Sequence, residues 1–358
     1  MKEKHKRLLR FVAFMLVCCI CLFGVQEVFK SKIAQDYTKL HDIFDEPENT
    51  LDAVFLGSSA TYAYWNPAVA WNEKGIAVYS MTNASQPVEI SHYLIDDMRK
   101  KQPDALYIIN ITRMMEIDKY YNAKIHRYVN NYPLTLNRYK ALDYMLDITD
   151  VPLNERWEYY FPLIRFHSRW KELKKFDITF TADNYKSSSK YSSYLKKSKV
   201  REPVVYEFDR YEPLTEIMTG ALQVLMDYCK DEQVKVLFVL MPQALHRDVS
   251  NARQNTVAKT LEDNGFDVLD LRKRVDEIGL DYSRHYYDER HTNIHGSVLV
   301  TDYIADYLIE NYNFVDKRGT EGYESWDKLC KKYYKIITKN LWPEDYNVLK
   351  TLEKPAEK

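Results

Sequence analysis

The chain has 358 residues and a formal net charge of −1, which admits one large domain or two small ones and excludes a nucleic-acid binder that relies on bulk positive charge. Hydrophobic residues make up 46% and charged residues 29%, ordinary values for a globular protein. Nine glycines argue against a long flexible linker, and thirty tyrosines supply rings suited either to core packing or to stacking on sugars.

The N-terminus carries the first strong signal. Lys2, Lys4, Lys6, Arg7 and Arg10 border an apolar run from Leu8 to Val25, and Phe11 to Val25 is free of charge. Continued to Phe29, the run matches the roughly 17–25 residues that cross a bilayer. The basic end is expected to stay in the cytoplasm and the remainder to face outward. Leu22 to Gln26 offers no small-x-small cleavage site, and Val17, Cys18 and Ile20 precede the three cysteines of the run where a lipoprotein signal needs a small residue. Residues 1–30 therefore read as an uncleaved signal anchor. Cys18, Cys19 and Cys21 read as small apolar side chains in lipid. Cys229 and Cys330 remain outside, enough for one bridge but not for a disulfide framework. No Cys-x-x-Cys or His-rich pattern points to a metal, and no cofactor is expected.

Residues 31–50 are polar and read as a helical neck. A regular alternation follows. Asp52–Leu56, Ile76–Met81 and Ala105–Ile109 are short apolar runs that read as buried strands. Pro67–Lys74 and Glu89–Lys101 read as the helices between and after them, with Pro67 in a first turn. From about Met114 to Asp209 the pattern breaks into a Tyr-rich, charged stretch, read as a helical insertion over the site. Alternation resumes with a helix over Leu214–Tyr228, a strand over Lys235–Leu240 and a helix over Val249–Asn264 closed by Gly265. A fifth strand over Phe266–Leu271 and a long helix over Ile294–Asn311 complete the series. Residues 316–358 read as a C-terminal helical extension whose end, Glu353 to Lys358, is expected to be disordered. Strands alternating with helices predict an α/β fold over residues 51–315: a three-layer, flavodoxin-like parallel sheet of about five strands, covered on both faces. Its chemistry should lie beyond the carboxyl ends of the strands.

Ser59 stands there, in Leu56-Gly57-Ser58-Ser59, where the first strand turns into a helix. Asp288 and His291 follow the fifth strand and precede the last long helix, which Asn293 is suited to cap. A three-residue spacing in a turn can set a carboxylate against one imidazole nitrogen and leave the other to take a proton from serine. His295 is the competing base, but it lies inside the helix start and lacks a carboxylate at the same offset. Glu289 reads as surface. In the insertion, His167, Arg169 and Trp170 are candidate substrate contacts, since Arg and Trp can hold an acidic or sugar-like group by charge and stacking.

Gly57-Ser58-Ser59 together with Asp288-x-x-His291-x-Asn293-x-x-Gly296 resembles the SGNH hydrolase superfamily, over roughly residues 50–310. The Gly-Ser-Ser form is similar to an envelope-facing branch related to teichoic-acid D-alanylation and alginate-acetylation proteins. Asn66-Pro67, Gln86-Pro87 and the stretch from Phe161 to Trp170 are similar to a membrane-anchored bacterial subgroup. The resemblance implies Ser59 as nucleophile with Asp288 and His291. The family's second block supplies an oxyanion-hole glycine, whereas this chain has Met81-Thr82-Asn83-Ala84-Ser85. Its third block has Gly-x-Asn, whereas this chain has Asn110-Ile111-Thr112-Arg113. Asn83 and Asn110, with the Ser59 amide, are the candidates for that hole.

The expected activity is acyl transfer through an acyl-enzyme on a cell-envelope polysaccharide: an esterase if water resolves it, an O-acyltransferase if a glycan hydroxyl does. The altered second block motivates a different expectation, a non-catalytic envelope protein that binds glycan or partners a multi-spanning membrane-bound O-acyltransferase. A cytosolic esterase would require Leu8–Val25 to be a buried core helix.

Overall fold

A computed structural model describes residues 2–114, 122–181, 190, 198–342 and 349. The expected disordered end, Glu353 to Lys358, lies outside them. Helix α1 (Lys2–Phe29) is followed by α2 (Ala34–His41), β1 (Ala53–Gly57), α3 (Ser59–Tyr64), α4 (Pro67–Lys74), β2 (Val78–Thr82), α5 (Ser91–Arg99) and β3 (Leu106–Asn110). The region expected to be a helical insertion contains α6 (Asn122–Val129), α7 (Leu136–Ile148), α8 (Trp157–Tyr160), α9 (Pro162–Phe166) and α10 (Lys175–Thr179). Then come α11 (Glu216–Asp231), β4 (Val236–Leu240), α12 (Asp248–Asp263), β5 (Asp267–Asp270), α13 (Val275–Ile278), α14 (Ile294–Tyr312) and α15 (Glu324–Thr338).

The five strands form one parallel sheet in the order β2-β1-β3-β4-β5, the flavodoxin-like arrangement. Alternate side chains of each strand face opposite ways. Val54, Leu56, Tyr79, Met81, Tyr107, Ile109, Phe238 and Leu240 enter one apolar cluster, with helices α5, α7 and α11. Ala53, Phe55, Val78, Ile108, Leu237 and Val239 enter another, with α3 and most of the apolar face of α14. Burial on both faces is why the strands read in sequence as continuous apolar runs. Each fully buried Leu, Ile or Phe contributes about 1.5–3 kcal/mol through the water it sheds. The chain places β2 on one side of β1 and β3 on the other, so a crevice opens between β1 and β3 beyond their carboxyl ends.

Helix α1 is long and apolar enough to cross a membrane, and its apolar window is unburied by protein. It is not a core helix, which removes the condition a cytosolic esterase required. The polar stretch 31–50, helical at Ala34–His41 as expected, packs on the domain. Leu40 and Ile43 are buried in the main apolar cluster, and the Nζ of Lys39 lies 4.6 Å from the ring centroid of Tyr62. Asp36 pairs with Arg127 at 3.7 Å. Polarity suggested solvent; here the charged side chains are buried beside compensating groups. Cys229 and Cys330 are buried, unbridged thiols, and burial pushes the Cys229 thiol up to about 12.

Candidate active site

Gly57 ends β1 at φ 152°, and a Cβ there would stand 2.1 Å from the Thr61 Oγ1 and 3.0 Å from the Asn110 Cβ. Only glycine lets the chain turn that tightly. The turn delivers Ser59 to the first turn of α3, where its amide has no intrahelical acceptor.

The other half of the site is a loop closed by its own backbone. Tyr286 and Thr292 form an antiparallel bridge, and the Tyr287 N–H donates to the His291 carbonyl at 2.9 Å. Asp288 Oδ1 accepts from the backbone N–H of Arg290 at 2.8 Å and of His291 at 3.0 Å. These bonds fix the carboxylate before it meets the ring. His291 Nδ1 lies 2.8 and 2.9 Å from the two Asp288 oxygens, and its Nε2 lies 2.8 Å from Ser59 Oγ. An ionised carboxylate can only accept, so Nδ1 carries the proton and Nε2 is left to accept from the serine hydroxyl. Burial opposes the Asp288 charge, but the His291 ring and the two backbone N–H groups outweigh it and hold the carboxyl below its ordinary range. Ser59 is 9% exposed, while His291 and Asp288 are partly open to solvent.

Three ties hold the two halves in register. Thr292 Oγ1 donates to the Ala63 carbonyl in α3. Thr301 Oγ1 in α14 accepts from Asn66 N–H at 2.9 Å. Tyr64 and Tyr286 both donate to the Pro242 carbonyl, at 2.6 and 2.9 Å. Asn293 caps α14, accepting from the N–H groups of His295 and Gly296 at 3.1 Å each. Gly296 packs so close that a Cβ would sit 2.5 Å from the His285 carbonyl. His295 is fully buried and stacks on Trp342 with ring centroids 3.4 Å apart, so His291 is the histidine that meets Ser59. Sequence reasoning passed over Thr292, Thr301 and Tyr286, whose only signal was nearness to the Asp-x-x-His segment.

Asn83 and Asn110 flank the Gly57 turn. Asn83 N–H donates to the Gly57 carbonyl at 3.3 Å, and its buried side-chain amide has no partner among the described residues. Gln86, on the same loop, has an equally buried amide with no such partner. Asn110 is committed locally: its Nδ2 donates to Thr61 Oγ1 at 3.1 Å and its Oδ1 accepts from Thr112 N–H at 3.0 Å.

His167, Arg169 and Trp170 make their contacts elsewhere. Arg169 donates to the carbonyls of Phe29 and Lys30 at the end of α1, and it forks onto both Asp177 oxygens at 3.1 Å. The exposed His167 bonds the Ile164 carbonyl at 3.0 Å, and Trp170 is an exposed ring with Lys171 over it.

No protein-family model matches this chain, and no curated protein matches it.

Proposed function

We propose that the protein is a membrane-anchored, extracytoplasmic serine esterase or O-acyltransferase of the SGNH type, acting on cell-envelope polysaccharide. The observation that carries the reading is the unbroken hydrogen-bonded chain from Ser59 through His291 to Asp288. In this mechanism Ser59 Oγ attacks an ester carbonyl while His291 Nε2 takes the hydroxyl proton. Asp288 holds the imidazole in the required tautomer and stabilises its charged form. The tetrahedral oxyanion is met by the Ser59 amide and the Asn83 side chain. His291 returns the proton to the leaving alcohol, and an acyl-serine remains. Water then releases the acid, or a glycan hydroxyl takes the acyl group, with His291 again as base. The basic cluster in the first turns of α1, Lys2 to Arg10, supports an outward-facing site.

A fluorophosphonate probe tests the reading. The full-length protein should be labelled at a single serine, and Ser59→Ala should abolish labelling without altering the thermal midpoint. A folded wild-type protein that resists the probe would overturn the enzyme reading in favour of a non-catalytic glycan-binding protein, or one that partners a membrane-bound acyltransferase.

A further inference from the structure

The segment that contains α8 to α10 carries several exposed apolar side chains that the serine chemistry does not use. Leu153, Trp157, Phe161, Ile164, Trp170 and Ile178 are between 41% and 77% exposed. Trp157 stacks on Phe161, and α8 touches α9, which touches the His167–Lys171 turn; large apolar groups gathered on adjoining elements suit a contact surface.

Their place beside α1 indicates what covers them. Helix α1 touches α9, α10 and the short turn His167–Lys171. The junction is fixed by buried ionic groups: Arg138 meets Glu27 at 3.4 Å, Lys32 meets Asp177 at 3.9 Å, and Arg169 binds the last carbonyls of α1. A hydrocarbon layer of about 30 Å takes about 20 helical residues at 1.5 Å each. Counted outward from Arg10, it ends near Lys30. Phe23, seven residues short of Lys30, then lies about 10 Å inside that level. The cleft that α1 shares with Tyr160, Phe161 and Pro162 runs from Phe23 to Lys30, so those residues stand between that depth and the hydrocarbon boundary.

The segment's composition fits that layer. From Leu153 to Phe180 six Arg and Lys stand against four Asp and Glu, in a chain whose net charge is −1. Exposed Arg165, Lys171, Lys174 and Lys175 lie among the apolar side chains. Tryptophan and basic side chains together suit an anionic interface, where the ring is half apolar and the cation meets headgroups.

We infer that the face built from α8, α9, the His167–Lys171 turn and α10 rests in the outer leaflet beside α1, its apolar side chains in the interfacial layer and its lysines on anionic headgroups. The protein is then held at two places, the spanning helix and this face, and its domain is not free to swing about the anchor. The inference rests on α1 as a membrane span and is independent of the serine chemistry.

The tryptophans report on it directly. Helix α1 contains none, and of six in the chain Trp65, Trp71 and Trp326 are fully buried while Trp342 is stacked on His295. The test uses the full chain in nanodiscs of mixed phosphatidylcholine and phosphatidylglycerol, with the acyl chains brominated near the headgroup or left plain. Co-elution of the chain with the discs establishes the anchor separately. Bromination should remove about a third of the emission, two tryptophans of six. Trp157→Phe with Trp170→Phe should abolish that loss while the emission of the remaining four is retained. Incorporated wild-type protein that bromination does not quench would overturn the inference and leave the face to a protein partner. Quenching that persists in the double variant would overturn it equally.

Discussion

Asn83 and Asn110 are the same residue type at the ends of β2 and β3, the strands on either side of β1, yet their surroundings assign them opposite work. A buried amide with no partner costs about 1–3 kcal/mol, and Asn83 carries that cost beside the Gly57 turn that delivers Ser59. Asn110 has no such cost, since both ends of its amide are bonded to Thr61 and Thr112. Asn83→Ala should therefore leave the thermal midpoint level or raised while slowing acylation by roughly 100- to 1000-fold, the loss expected when an oxyanion donor goes. Asn110→Ala should do the reverse, lowering the midpoint and slowing acylation less. Probe kinetics on both variants check this, and an Asn83→Ala protein that acylates at the wild-type rate removes Asn83 from the oxyanion hole. The sequence shows both residues after strands, but which amide is spent and which is free depends on side chains such as Thr61, 49 positions from Asn110.

At the scale of elements, the active geometry depends on how α3 and the Asp288–His291 loop are brought to one place. The strands were legible because a sheet covered on both faces needs uninterrupted apolar runs, and Pro67 and Gly265 marked helix limits by their own backbone preferences. The Ser59–His291–Asp288 grouping was legible because Asp288 and His291 are joined within one turn, and Ser59 ends at the same sheet edge. The ties between them were not, since Thr292 and Ala63 are 229 positions apart. Nor was the use of Arg169, whose acceptors at Phe29 and Lys30 are 140 and 139 positions away. Gly57 tests this coupling. Its Ala variant meets both Thr61 Oγ1 and the Asn110 Cβ in a backbone conformation that disfavours side chains. It should lose about 1–3 kcal/mol of stability and label at least tenfold more slowly, because a small misplacement of the nucleophile is expensive. Adding Thr61→Ala removes the closest contact and should restore part of the stability. Unchanged melting and labelling in Gly57→Ala would refute the assigned role of the turn.

Across the whole molecule, stability should follow two buried groups on the segment that leads from β2 into α5. Burial pushes the Glu89 carboxyl up to about 8, opposed only by its own backbone N–H, and burial holds the His92 ring down to about 4, opposed first by the Glu89 backbone. Helices α5, α7 and α11 close over this segment, with Tyr93, Tyr144 and Tyr228 around the His92 ring. The unfolded chain releases the Glu89 proton near 4.5, whereas the native state keeps it to about 8. Between those values the native state binds more protons, so the Glu89 contribution to stability falls as pH rises. His92 acts in the opposite sense: the unfolded chain gains its proton below about 6.5 and the native state resists to about 4, so its contribution falls as pH falls through that window. The two slopes offset one another between 4.5 and 6.5, and the net loss appears from 6.5 to 8. Glu89→Gln removes the first slope and leaves the second. Thermal midpoints of the full-length protein in detergent at pH 5, 6.5 and 8 should show a gain of the variant over wild type that grows with each step. A gain that stays constant with pH would mean that Glu89 is ionised in the folded protein, with a cation reaching its carboxylate.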